Sequence, residues 1–299
     1  MEVTGANLRT LGIGLSAAFR TGLGEYEASW DQVATEVPST TAENDYSWLA
    51  DWPGMKKWVG DRKIKELAAY GYVLKNEEFE STIAIKKVHI EDDNIGLYST
   101  RANAMGRAAA AWPDDLVWGL LPLGVSTLCY DGQNYFDTDH PVVNPETGEA
   151  QSVSNYTAGA NAGWYLLDTT KPLKPLIFQK RKAAEFTSRD DPNDSDHVFM
   201  RNEYLFGTDA RGNAGFSYWQ LAHMSKAELN EANFDAAYDA MTTIKNDEGR
   251  PLKIMANKLV VPPQLRKAAD EVIKRSRKAN GEDNTNQNIV EVHVAPWLA

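Results

Sequence analysis

The sequence predicts an α+β protein, and three patterns carry that prediction. Apolar residues recur at helical spacing in two stretches: Leu8, Leu11, Leu15, Ala18 and Phe19, and later Ile95, Tyr98, Ala102, Met105, Ala109 and Trp112. Between them, Tyr72 and Leu74, then Ile83 and Ile85, alternate as strand residues do. Towards the end, an apolar run over 252–261 stops at Pro262-Pro263 and a helical pattern follows at once. Proline has no amide to give a central strand, yet it fits the first turn of a helix. The chain has 299 residues, 42% hydrophobic and 24% charged, enough for one large or two moderate domains.

The elements follow in order. A helix over 6–20 is succeeded by a loosely patterned tether over 21–44, so the leading segment reads as an arm whose apolar stripe needs a partner. An aromatic patch, Tyr46, Trp48, Trp52 and Trp58, is broken by Pro53-Gly54, and a short helix over 56–67 is expected after it. Residues 70–90 read as a long, charged β-hairpin reversing at Asn76-Glu77-Glu78, with a phase slip at Lys86-Lys87 that predicts a bulge. A two-stranded hairpin is marginal alone in water, so this one must lie on something.

Glu91-Asp92-Asp93-Asn94 then supplies capping groups for a long helix that Pro113 ends or kinks. A second short helix carries Leu116, Val117, Leu120 and Leu121. Strands are expected over 127–130, 164–168, 176–179, 184–188 and 199–206. Ser225-Lys226-Ala227-Glu228 has the form of a capping box, ahead of a helix with Phe234, Tyr238, Met241 and Ile244 on one face. The chain closes with the strand ending at Pro262, a helix over 264–278 striped by Leu265, Ala269, Val272 and Ile273, a stop at Gly281, and a strand-like run over 288–298.

Composition narrows the function. The net charge of -11, from 31 basic and 42 acidic residues, is the opposite of what a protein built to grip nucleic acid carries. The one cysteine, Cys129, excludes an internal disulfide. Glu2 and Arg9 spoil a signal-peptide reading of the first residues, and no stretch approaches the ~20 apolar residues of a membrane span.

Asp131, Asp137, Asp139 and His140 form the most catalytic-looking cluster, with oxygen and imidazole ligands suited to a divalent cation. Turn-forming residues in a surface loop explain the cluster as well. It sustains an alternative reading, a metal-dependent hydrolase using Asp137, Asp139 and His140. Asp190, Asp191, Asn193, Asp194 and Asp196 lack the glycine of a calcium loop. Gly12, Gly14 and Ala17 lack the strand that a dinucleotide fingerprint requires. Cys129 reads as a small buried hydrophobe rather than a nucleophile, although His140 is near in sequence. The basic run Lys171, Lys174, Lys180, Arg181 and Lys182 reads as a lysine-guarded strand edge before it reads as a phosphate site. No catalytic, cofactor-binding or metal residue is assigned.

A series of short motifs spans nearly the whole chain: Tyr46-Ser47-Trp48-Leu49, Trp58-Val59-Gly60-Asp61-Arg62-Lys63, Asn76-Glu77-Glu78-Phe79-Glu80, Ile90-Glu91-Asp92-Asp93, Trp112-Pro113-Asp114, Tyr130-Asp131-Gly132-Gln133-Asn134-Tyr135-Phe136, His140-Pro141 and Val260-Val261-Pro262-Pro263. In this order they resemble the Mu-like major head subunits of tailed phages. The resemblance implies the Hong Kong-type capsid fold: an N-terminal arm over 1–50, an extended loop region over 51–93, the spine helix of the peripheral domain over 94–125, a β-rich peripheral and axial region over 126–225, and an axial helix–strand unit over 226–299. In many capsid proteins of this fold the strand similar to 164–168 follows the Val-Pro-Pro helix; here it precedes it.

The resemblance further implies a structural virion protein rather than an enzyme, assembled in the bacterial host cytoplasm, with another virion component such as a tail protein as the alternative. Its implied partners are itself, as hexamers and pentamers, then scaffold, portal and decoration proteins, and packaged double-stranded DNA touched without specificity; no membrane and no cofactor is implied. Buried aromatic and large apolar groups dominate interface energies. The expected interface anchors are therefore Leu8, Leu11, Leu15 and Phe19 in the arm, with Trp48, Trp52, Trp58, Phe79, Ile83 and Ile85 in the loop region. An intrachain core contact is the other reading of each.

Overall fold

The computed structural model describes residues 2–50, 71–92, 96–144, 147–189, 196–246, 249–278 and 281–299. Helix α1 (Gly5–Glu25) opens the chain, with the Thr4 hydroxyl accepting from the Asn7 amide as its cap. Strands β1 (Ala34–Pro38), β2 (Glu43–Asp45), β3 (Val73–Lys75) and β4 (Glu77–Lys86) follow, then α2 (Lys87–Glu91) and the long α3 (Gly96–Leu120). Next come β5 (His140–Val143), β6 (Ala150–Val153), β7 (Tyr156–Thr157), β8 (Trp164–Leu167), β9 (Leu176–Arg189), α4 (Asp196–Arg201) and β10 (Glu203–Phe216). The last elements are β11 (Ala222–Ser225), α5 (Glu231–Thr242), β12 (Lys258–Val261), α6 (Arg266–Ala269) and β13 (Glu291–Val294).

Two sheets organise these elements. One has the order β1-β9-β10-β4 and is built on the long antiparallel pair β9 and β10, each of 14 residues. Tyr204, Phe206, Thr208 and Ala210 alternate inward on β10, and Ile83 and Ile85 do so on β4. That face meets α1 and α3 in a cluster with Leu8, Leu11, Leu15, Phe19, Tyr98, Ala102 and Met105. The other sheet has the order β13-β12-β8-β11-β7. Its strands β8, β11 and β12 are buried at every position, as strands covered on both faces are. Thus β8, which precedes the Val-Pro-Pro stop in sequence, lies at the middle of the sheet beside β12.

Several sequence expectations are corrected. Residues 70–90 do not form a hairpin on themselves: β3 pairs with β2 and β4 pairs with β10. Asn76 explains the divergence, because its amide donates to the Ser39 hydroxyl and the Thr41 carbonyl while its oxygen accepts from Gln179. The junction is thus pinned to distant residues rather than folded as a turn. The phase slip at Lys86-Lys87 is no bulge but the start of α2, whose turn carries Ile90 into the same cluster as Ile83 and Ile85.

Helix α3 runs through Pro113 and absorbs the expected second helix, since the buried Asp114, Val117 and Trp118 keep its far half docked. Residues 127–130 hold only an isolated bridge, Leu128 to Asn134, and the strands expected over 176–179 and 184–188 are one, β9. Val198 is drawn into the core by a helical turn, so 199–201 belong to α4 and the strand starts at Glu203. Asn230, not Ser225, caps α5, its side chain accepting from the Asn233 amide at 3.0 Å. Of 252–261 only the last four residues are strand, Lys253 having a positive φ of 56°. The last helix ends as a π turn at Lys274, where the Asn284 amide caps the carbonyls of Val272 and Arg275. The helix expected over 56–67 and most of the 190–196 aspartate loop lie outside the described residues.

His223 of β11 is 3% exposed and keeps one partner, the Thr157 hydroxyl at 3.0 Å. Burial pushes its imidazole down from 6.5 to about 4. Between these values the unfolded chain binds a proton that the folded chain refuses, so stability is complete above pH 6.5 and falls as pH drops towards 4. At about 1.4 kcal/mol per unit, the loss reaches up to about 3 kcal/mol. Urea unfolding across that range should show the slope in the parent chain and a flatter profile in His223→Gln.

Candidate functional site

The arm was expected to leave its stripe for another molecule; instead the chain covers it. Leu8 and Leu15 are each 1% exposed and Phe19 is 2% exposed, with Leu11 also buried, all packed against α3 and the first sheet. Two glycines set how closely the helices cross. A Cβ on Gly22 would lie 2.0 Å from the Asn103 carbonyl oxygen, and one on Gly106 would lie 2.0 Å from that of Phe19. Arg107 pairs with Glu25 at 3.3 Å at the edge of the crossing, and the Phe19 ring meets Phe186 at 5.5 Å.

Beyond the helix the chain is fixed by Asp114, a fully buried carboxylate that the sequence reading named within the Trp112-Pro113-Asp114 motif but gave no role. Its oxygens accept from the Tyr26 hydroxyl at 2.7 Å and from the amides of Ser29 and Trp30 at 3.0 and 2.5 Å. Burial, then the bond to Asp114, pushes the Tyr26 phenol up to about 12, so it stays a donor. Trp118 completes the clasp by donating to the Ser29 hydroxyl at 3.0 Å.

The loop region divides differently. Ile83 and Ile85 are buried under the arm, and Phe79 is half-buried against Trp112 with ring centroids 5.1 Å apart. Trp48 is 47% exposed, while its neighbours Tyr46 and Leu49 are buried. Trp52 and Trp58 lie outside the described residues. The pairing of β2 with β3, with the Tyr46 amide donating to the Tyr72 carbonyl at 2.7 Å, holds Tyr46 beside Tyr72. Of the expected anchors on described residues, Trp48 therefore offers the largest free surface, and the arm and isoleucine anchors are satisfied within the chain.

The aspartate–histidine cluster assembles around different partners from those expected. His140 is fully buried, stacked on Trp219 with centroids 4.0 Å apart, and donates from Nδ1 to Asp131 Oδ2 at 2.7 Å. Its Nε2 faces Asn155 Oδ1 at 3.2 Å. The Asn155 amide nitrogen is committed to the carbonyls of Tyr135, Trp219 and Ala222, so its oxygen is the atom turned to the ring. Both ring nitrogens thus face an oxygen.

The Cys129 thiol donates to Asp131 Oδ1 at 3.0 Å. Burial, then the Asp131 charge, drives that thiol far above its ordinary range, which removes the thiolate a nucleophile needs. Burial alone would raise Asp131, but the bond and charge of His140 outweigh it and hold the carboxyl below its usual value. Asp137 accepts from the Thr138 amide at 2.7 Å and Asp139 is exposed; neither bonds to His140. Sγ of Cys129, a carboxylate oxygen of Asp131 and a ring nitrogen of His140 do lie within 4.8 Å of one another, a spacing a metal could bridge. Each is already spent on a hydrogen bond within the cluster, and a metal would need the thiol deprotonated. The chemistry of this group is that of a locked core junction joining the loop after α3 to β5 and β11.

The basic run is likewise occupied. Lys180 pairs with Glu36 at 2.8 Å, Lys182 with Asp209, and Lys171 with Asp168 at 3.7 Å. Lys180 and Lys182 thus bridge β9 to β1 and β10 rather than guard an edge, while Lys171 pairs within the loop after β8.

Comparison with known proteins gives this architecture its context. Residues 8–298 match the family model described as Mu-like prophage major head subunit gpT. The major head subunit of the Mu-like prophage FluMu of Haemophilus influenzae is 40% identical over 93% of this chain and 92% of its own length. The major capsid protein of Escherichia phage Mu is 38% identical over the full length of both. A chain in the procapsid of bacteriophage JBD30 is 49% identical, covers 99% of this chain and all of its own, and superposes with a TM-score of 0.85. With agreement of sequence and fold from end to end, the chain belongs to the family of Mu-like major head subunits, the major capsid proteins of Mu-like phages.

Proposed function

We propose that many copies of this chain, as hexamers and pentamers, close an icosahedral shell around phage DNA in the host cytoplasm, and that the chain does so without catalysis. The observation that carries the reading is the end-to-end likeness to a chain that stands in a procapsid. In this reading the arm is residues 1–50, the extended loop 51–93, the spine helix 94–125, and the regions 126–225 and 226–299 supply the peripheral and axial parts. Trp48 anchors the loop on a neighbour. Scaffold, portal and decoration proteins bind the finished surfaces, and the net charge of -11 keeps the inner wall from gripping DNA. Each contact can be modest, since every copy makes several at once.

The non-catalytic part is supported by the closed Cys129–Asp131–His140 junction, which offers no group to a substrate. Negative-stain microscopy of the purified chain, with protein and salt concentrations raised, tests the reading. Closed shells, rings or sheets are expected; persistent single molecules would refute it.

A further inference from the structure

We infer that the tip of the β9–β10 hairpin is a knob that seats in a pocket on a second copy of the chain. Phe199 is 89% exposed and Met200 is 78% exposed, side by side on α4 and followed by the exposed Arg201. Val198, one residue earlier, is buried, so the tip is anchored while its apolar pair is held out. Adjacent large apolar side chains at such exposure mark an interaction site rather than ordinary surface.

The matching feature lies on the inner face of the first sheet. A cavity of about 170 Å³ opens between α3 and strands β4, β9 and β10, walled by Phe79, Ala109, Trp112, Ala184 and Ala210. Thr208 also lines it; it is 7% exposed, and its hydroxyl has no partner. The buried Trp112 Nε1 likewise has none. Both atoms are sealed from solvent, so they add a cost to this part of the core but are not contact points for a partner. What the hollow offers a visitor is its apolar and aromatic wall, on which a methionine or phenylalanine side chain packs well.

Charge complements shape. The pocket opens at β4, the end strand of its sheet among the described residues, where Glu80 lines it; the nearby Glu78 is already paired with Arg211 at 3.3 Å. Arg201 next to the knob supplies the opposite sign. The knob cannot fill its own pocket: it lies beyond Glu203, and Thr208 is about 17 Å back along the strand at about 3.3 Å per residue. Knob and pocket are different places on one surface, so their contact is heterologous and repeats from copy to copy, closing rings.

The inference rests on the shell reading, and its test separates the two. Phe199→Cys combined with Ala109→Cys, oxidised in assembled particles, should give disulfide-linked multimers on non-reducing gels that neither single variant gives; Cys129 is buried and adds no background. Arg201→Glu and Glu80→Arg should each raise the concentration needed for assembly several-fold, and their combination should restore it. Unfolding midpoints of the Phe199→Cys and Arg201→Glu variants should stay at the parent value, because both residues are exposed. Parent particles that show neither multimers in the double-cysteine variant nor rescue by the charge swap overturn the contact alone. Multimers from Phe199→Cys by itself would place knob against knob and also overturn it. A parent chain that forms no particles refutes the shell reading and the contact with it.

Discussion

Replacing Asp114 with alanine should cost the fold about 3–5 kcal/mol, the range for removing one member of a buried, fully used polar group. The carboxylate is completely buried and takes two backbone amides and a phenol at once. Alanine would leave the Ser29 and Trp30 amides and the Tyr26 hydroxyl without acceptors, at about 1–3 kcal/mol for each orphan that water does not reach. Asp114→Asn keeps one oxygen for the two amides, so it should retain most of the stability. Urea unfolding gives the size, and amide exchange at Ser29 and Trp30 gives the place. An alanine variant within about 1 kcal/mol of the parent, the worth of a single ordinary hydrogen bond, would show that Asp114 is no clasp.

Gly106→Val should loosen the arm. Its Cβ would sit 2.0 Å from the Phe19 carbonyl oxygen, a backbone atom that cannot swing aside, so α1 has to move off α3. Overpacking of this kind costs about 1–3 kcal/mol, occasionally more, and here it also opens the seam holding Leu8, Leu11, Leu15 and Phe19. Trypsin should then cut at Arg9 and Arg20 faster than in the parent, and the thermal midpoint should drop. Gly14→Ala, on the partner helix α1, is the control: nothing lies within 4 Å of its Cβ, and the gain in helix propensity should stabilise by about 0.5–1 kcal/mol. Equal behaviour of the two variants would mean that the crossing is not tight.

What could be read from sequence was periodic. The stripe Leu8, Leu11, Leu15, Phe19 and that of α3 follow from spacing alone, as do the strand stop at Pro262 and the buried state of Cys129. The two stripes nevertheless gave no sign that they were each other's partner. That depends on Gly22 and Gly106 falling opposite each other, which no local pattern encodes.

The misreading of 70–90 has the same origin. Asn76 is a good turn residue, but its side chain is claimed by Ser39, Thr41 and Gln179, far away in the chain. The histidine cluster was half legible: Asp131 and His140 are close in sequence, whereas Asn155 and Trp219, which fix and cover the ring, arrive through the fold. Asp114 carried a weak signal at best, an acid placed just after a proline that fails to end its helix.

The sheltered thiol has a practical consequence. Cys129 is the chain's one cysteine, buried, protonated and engaged with Asp131, so maleimides and other thiol reagents should pass it by in the folded protein. A single cysteine installed at a chosen outer position would then be the one addressable atom per copy. Dyes, peptides or grafted cargo could be placed with defined stoichiometry without first engineering a native residue away.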